Sequence, residues 1–197
     1  MEGSFLNWLH RNQKKLITGL AVLFIAFFIV AGLFFWQSRR EEKGILALDG
    51  AKGEIQKLET VLEGYPFTKA YRLALWGLAK EYLNKGDLEK SFEYYEKLYQ
   101  KGNTALLRVA ALYGMASVSA KQKDYAKTAD YYWRASQEPN NIVVPESKLL
   151  AARFFEKAGN TTRAIEIYDV LSQDDKVSGS LKKEALDRKL WLAVQEK

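Results

Sequence analysis

The sequence predicts an all-α protein, with an N-terminal transmembrane helix, a stack of helical hairpins and a C-terminal capping helix. Three observations predict this class. Residues 16–36 are 21 consecutive residues without a charge. From residue 66 onward, apolar residues recur at helical spacing between short breaks rich in Gly, Asn and Asp. No segment alternates convincingly with the two-residue period of a strand.

The apolar run at residues 16–36 is long enough to cross a bilayer once, because 21 helical residues reach roughly 31 Å and a hydrocarbon core is about 30 Å thick. Trp8 and Trp36 flank the run, at the positions where tryptophan is enriched at the two membrane–water interfaces. The run ends in bulky residues instead of a small-x-small cleavage site, so we expect an uncleaved signal anchor rather than a signal peptide or a buried core helix. Residues 1–15 form a short basic tail.

Orientation in the membrane cannot be predicted from the flanking charges. Three basic residues stand on each side of the run: Arg11, Lys14 and Lys15 before it, and Arg39, Arg40 and Lys43 after it. The positive-inside rule therefore gives a tie.

Composition argues against most catalytic chemistry in the domain that follows. The chain has no cysteine, and its one histidine, His10, lies in the N-terminal tail as a solvated flank residue. No glycine-rich phosphate loop, zinc-protease motif or nucleophile elbow is present. The net charge of +6 is interleaved with acids, so nucleic acid is not an expected partner. We expect no enzyme, no metal and no cofactor.

Residues 37–53 are predicted to be a flexible joint, because Gly44, Gly50 and Gly53 weaken a helix there. Apolar residues from Ile55 to Leu62 then open the domain at residues 54–197.

A repeated pattern organises this domain. Glu93-Tyr94-Tyr95 recurs as Asp130-Tyr131-Tyr132 after 37 residues, and Glu166-Ile167-Tyr168 follows after a further 36. With this period the chain resembles the tetratricopeptide family, in which small residues lie where two helices approach and large ones fill the gaps. The small positions are Ala79, Ala116 and Ala152, and the large ones are Tyr95, Tyr132 and Tyr168.

The resemblance implies three repeats at about 72–105, 109–142 and 145–178. Ser119 and Lys123 depart from it, because the family has an aromatic and a turn glycine at these positions. A capping helix is expected at 180–195, with its apolar residues on roughly one side: Leu181, Leu186, Leu190, Trp191 and Val194.

In tetratricopeptide folds the first helix of each pair lines a concave groove. The implied groove residues are Trp76, Lys80, Asn84, Tyr113, Ser117, Lys121, Leu149, Arg153 and Lys157. This mixed aromatic and basic set fits an extended or helical peptide. The alternative is that these are ordinary surface residues of a helical stack.

The whole plan, from the basic tail to the repeats, resembles the YfgM-like ancillary proteins of the bacterial Sec translocon. That resemblance implies a single-pass protein of the bacterial inner membrane, with its C-terminal domain in the periplasm. It also implies an adaptor or chaperone-like scaffold, with the translocon and an envelope chaperone or prolyl isomerase as partners. Two alternatives stay open: a cytoplasm-facing membrane-tethered adaptor and a self-oligomerising structural protein of the envelope.

Overall fold

The computed structural model describes residues 2–195 and the side chains of residues 11–195, so Trp8 and His10 lie outside the described side chains. The described chain is all-helical, and no strand occurs in it. The helices are α1 (Glu2–Ala51), α2 (Ile55–Gly64), α3 (Lys69–Lys85), α4 (Leu88–Lys101), α5 (Ala105–Lys121), α6 (Tyr125–Ser136), α7 (Val144–Lys157), α8 (Thr161–Gln173) and α9 (Gly179–Gln195).

Helix α1 contains the expected apolar run. Its most apolar stretch is 0% buried within the protein. Phe34, for example, exposes 76% of its surface. A core helix of a soluble domain would cover these side chains, and here nothing in the described chain does. Among the residues that the structure describes, one helix is therefore long and apolar enough to cross a membrane.

The flexible joint expected at residues 37–53 is corrected by the structure, because α1 stays helical through Ala51. Gly44 is the physical reason: a Cβ built on it would lie 3.0 Å from Cβ of Ala70, so the glycine lets α3 approach α1 closely. Ala51 is completely buried. The chain turns only at Lys52 and Gly53, with φ of 46° and 82°.

From α2 to α9, each helix packs against the next one along the chain, and short turns make neighbours antiparallel. Helix α1 also contacts α3, α3 contacts α5, and α7 contacts α9. The pairs α3–α4, α5–α6 and α7–α8 fall on the three expected repeats. The alanines predicted at helix crossings, Ala79, Ala116 and Ala152, are all 0% exposed.

Three turns between paired helices share one geometry. The first residue of each turn pair has positive φ, and the second caps the next helix with its side chain: Gly86-Asp87, Lys123-Asp124 and Gly159-Asn160. In each turn the capping residue's backbone N–H donates to a carbonyl five residues earlier, at 3.0, 2.9 and 2.8 Å. The turns are separated by 37 and 36 residues, as the sequence repeats are.

Helix α9 occupies the place expected for the cap, but the prediction of its buried side was wrong. It buries Ala185 and Leu192, with Leu181 partly buried beside them. The other predicted residues stay exposed: Leu186 44%, Leu190 55%, Trp191 48% and Val194 75%. Residues 181, 185 and 192 share one helical face, and that face meets the core.

Candidate functional site

An open cavity of about 360 Å³ lies between α3 and α5, and we call it the α3–α5 cavity. The residues that line it come from two successive helix pairs, α3–α4 and α5–α6. It is formed by Trp76, Lys80, Leu83 and Asn84 of α3, by Tyr95 of α4, and by Ala110, Tyr113, Gly114 and Ser117 of α5. Five of the expected groove residues therefore meet in one place: Trp76, Lys80, Asn84, Tyr113 and Ser117.

Local helix geometry brings these side chains together. Trp76, Lys80 and Asn84 are spaced four residues apart, which places them on one face of α3. Tyr113 and Ser117 repeat that spacing on α5. Each helix begins at a threonine cap: Thr68 Oγ1 accepts the Tyr71 N–H at 3.1 Å, and Thr104 Oγ1 accepts the Leu107 N–H at 3.3 Å.

The floor of the α3–α5 cavity depends on Gly114. A Cβ on this residue would lie only 2.2 Å from Cε1 of Tyr95. The glycine therefore makes room for the tyrosine ring, which is 3% exposed and separates the cavity from the core. Sequence reasoning placed Tyr95 in the core and missed Ala110 and Gly114 as lining residues. Their signal was present, because Ala110, Gly114 and Ser117 form a small-residue stripe on one face of α5.

Trp76 and Lys80 form the accessible side of the cavity. Trp76 exposes 40% of its surface, and the Lys80 ammonium lies 5.1 Å from the Trp76 ring centroid. This distance is within the range of a cation–π interaction. The pair presents a flat apolar face beside a positive charge, so it can accept an apolar side chain and a carboxylate together.

Tyr113 is held inside the protein more firmly than Trp76. Its hydroxyl is 2.9 Å from Oγ of Ser147 on α7, and its ring meets Tyr132 edge to face at 5.0 Å. Tyr132 in turn stacks on Phe154 at 5.6 Å. Burial raises the pKa of Tyr113, although the Ser147 hydrogen bond offsets part of the rise. Burial also raises the pKa of Tyr132, so both phenols stay neutral near pH 7.

The remaining predicted groove residues lie elsewhere. Lys121 is at the end of α5, outside the lining. Leu149 is 5% exposed and belongs to the core, so its prediction as a groove residue was wrong. The reason is that residues 149, 152 and 155 share the face of α7 that packs into the core.

Arg153 and Lys157 line a second cavity, of about 370 Å³, with Leu150, Phe154, Glu156 and Arg188. Arg153 is paired with Glu184 of α9, and the Lys157 ammonium lies 5.0 Å from the Phe154 ring centroid. Tyr113 lines the first cavity and Phe154 the second, and the ring of Tyr132 contacts both of them. Seven of the nine expected groove residues thus line two cavities, five in the first and two in the second.

No cluster of three or more potential metal ligands occurs among the residues that the structure describes. The geometry defines a class of protein: an all-helical chain with one apolar N-terminal helix and an open aromatic and basic cavity between successive helix pairs. Comparison with protein-family models, with curated proteins and with solved structures found no match.

Proposed function

We propose that this protein is a membrane-anchored, periplasm-facing scaffold, an adaptor or chaperone, that binds peptides or envelope proteins in the α3–α5 cavity. One observation carries the proposal. An exposed tryptophan with a lysine over its ring stands at an open concave site, and tryptophan is among the residues most enriched at binding hot spots.

We also propose that α2 to α9 form a tetratricopeptide-like solenoid. Two features support it: the three equivalent turns, and the way tyrosines of second helices meet the next pair. Tyr95 packs on Gly114 of α5, and Tyr132 stacks on Phe154 of α7. A solenoid of this kind presents an extended binding surface on its concave side.

The chemistry of the α3–α5 cavity favours binding over catalysis. Its titratable side chains are Lys80, Tyr95 and Tyr113, and burial raises the pKa of both tyrosines. A neutral phenol is a poor general base near pH 7. We therefore propose a binding protein rather than an enzyme, with a ligand that combines an apolar side chain and an acidic group.

Tethering supports a partner that is itself at the membrane. A single span confines the domain to the bilayer surface, which raises its effective concentration toward other membrane proteins, so modest affinity suffices. We propose the Sec translocon, together with an envelope chaperone or prolyl isomerase, as the partner set.

Co-purification from detergent extracts tests the cavity. The double variant Trp76→Ala, Lys80→Glu removes the aromatic face and reverses the charge. Both side chains are exposed, so the fold is retained. We expect recovery of the bound envelope proteins to fall about tenfold or more, because a hot-spot residue contributes about 2 kcal/mol.

The matched control is Trp191→Ala, Lys183→Glu, which changes the same residue types at an exposed site on α9. It should leave recovery unchanged. Equal recovery by the cavity variant and the unchanged protein would defeat the cavity assignment.

Membrane orientation is tested separately with a reporter fused after Lys197 that is active only outside the cytoplasm. Activity supports the periplasmic orientation. Silence of a well-expressed fusion would instead favour the cytoplasm-facing adaptor.

A second candidate function is self-association into a structural assembly. The observation that favours it is the exposed apolar stripe on α9, formed by Leu186, Leu190 and Val194 at four-residue spacing. A solenoid end without a polar outer face can stack on another copy. Light scattering of the detergent-solubilised chain distinguishes the two, because a strict monomer counts against self-association.

A further inference from the structure

The loop between α2 and α3, residues 65–68, lies at the end of the domain that is nearest to the membrane anchor. After the turn at Lys52 and Gly53, α2 runs back along α1. The Lys69 N–H then donates to Oε2 of Glu41 at 2.8 Å. A Cβ on Gly44 would be 3.3 Å from Cγ of Tyr65. The loop is therefore fixed beside residues 41–44 of α1.

This position lies at the outer edge of the headgroup layer if α1 crosses the bilayer at residues 16–36. Glu41 follows Trp36 by five residues, which is about 8 Å along a helix. The headgroup layer on each side of a bilayer is about 5–8 Å thick. Because α1 is helical throughout residues 36–51, no joint separates the loop from the span.

Phe67 is the residue that the loop presents. It exposes 76% of its surface and has a φ of 66°, a conformation that an aromatic residue rarely adopts. The backbone on both sides is held in place. Thr68 Oγ1 donates to the Tyr65 carbonyl at 2.6 Å, and Arg72 Nη1 donates to the Phe67 carbonyl at 3.3 Å. A fixed backbone thus holds a large apolar side chain away from the protein.

The charges around this loop complement an anionic surface. Residues 39–43 and 63–72 together carry five basic side chains and three acidic ones. The basic ones are Arg39, Arg40, Lys43, Lys69 and Arg72. Basic residues at the membrane surface are attracted to anionic headgroups.

We infer that the α2–α3 loop is a second membrane contact, in which Phe67 inserts into the interface of a bilayer containing anionic lipid. The inference rests on the membrane anchor of the proposed function, but not on its cavity. An aromatic side chain is stable at this depth. Two points of attachment, the span and the loop, fix the tilt of the domain over the membrane.

The absence of cysteine from the chain makes a direct depth measurement possible. Phe67→Cys, Phe27→Cys and Gln122→Cys each provide one labelling site. Phe27 lies in the span, and exposed Gln122 lies in a turn at the opposite end of the helices. Each full-length variant is labelled with an environment-sensitive fluorophore and reconstituted with spin-labelled quencher lipid. The vesicles are made from phosphatidylcholine, with or without phosphatidylglycerol.

We expect quenching of the Phe67 label to be several-fold stronger than that of the Gln122 label, and stronger with phosphatidylglycerol than without it. Phe67 is exposed, so its replacement leaves the core intact, and circular dichroism verifies the helix content. Strong quenching at Phe27 with equal quenching at Phe67 and Gln122 would overturn the inference while the anchor stands. Weak quenching at Phe27 would overturn the anchor, and the inference with it.

Discussion

Gly114 shows how much one residue decides at the α3–α5 cavity. The ring of Tyr95 occupies the volume where any larger side chain at position 114 would start. A shift of either residue would disturb the packing, because Tyr95 is buried and Gly114 lies inside α5. The lining of the cavity is therefore coupled to the core beneath it.

Gly114→Ala is predicted to destabilise the protein by about 1–3 kcal/mol, the usual cost of overpacking a core. The measurement is denaturant unfolding of the full chain in detergent, followed by circular dichroism. Gly50→Ala is the matched control, since a Cβ at this helical glycine meets nothing within 4 Å, and it should not destabilise. Equal stability of the two variants would contradict the packing described here.

Sequence reasoning at the residue scale succeeded where a position depends on its own repeat. Ala79, Ala116 and Ala152 are buried as predicted, because small size at a helix crossing is a local requirement. It failed at Leu149, whose exposure depends on how α7 rotates against its neighbours. An apolar residue alone does not distinguish a groove from a core.

At the scale of elements, the three turns explain a departure seen in the sequence. Lys123 takes the position held by glycine in the other two turns, with φ of 61° against 83° and 78°. A residue with a Cβ pays about 1–2 kcal/mol for this conformation. The turn still forms because its cap and its backbone hydrogen bond are both present.

Lys123→Gly is predicted to raise the free energy of unfolding by about 1 kcal/mol, since it relieves the strained backbone. Glu96→Gly, in the interior of α4, should lower it by about 1 kcal/mol, because glycine weakens the middle of a helix. Both side chains are exposed, so the two variants report the contribution of the backbone conformation to the free energy of unfolding. Chemical denaturation measures both, and a change of the same sign in the two variants would refute the strained turn.

Two elements could not be predicted correctly because their form depends on contacts distant in sequence. Gly44 weakens a helix by local propensity, yet it is the point where Ala70 packs on α1, and this tertiary contact keeps the helix intact. The buried face of α9 is likewise chosen by α8. Its apolar pattern offered two faces, and only packing selected one.

At the scale of the whole molecule, the all-α class and the apolar N-terminal helix were predicted from sequence and are confirmed. The groove was predicted as one surface along three first helices. In the structure its residues line two cavities, and α5 and α7 are linked by side chains and not by close backbone packing. The distance between helices that are not neighbours in the chain, such as α5 and α7, cannot be predicted from a local sequence pattern.

The central proposal is that the α3–α5 cavity binds another protein. A photoreactive amino acid placed at Asn84, inside the cavity, tests it most directly in native membranes. Glu96, exposed on α4, is the comparison site. The account predicts a crosslinked partner from position 84 that is lost when Trp76→Ala is added, and none from position 96. Equal crosslinking from both positions, or none from position 84 in a well-expressed protein, would contradict it.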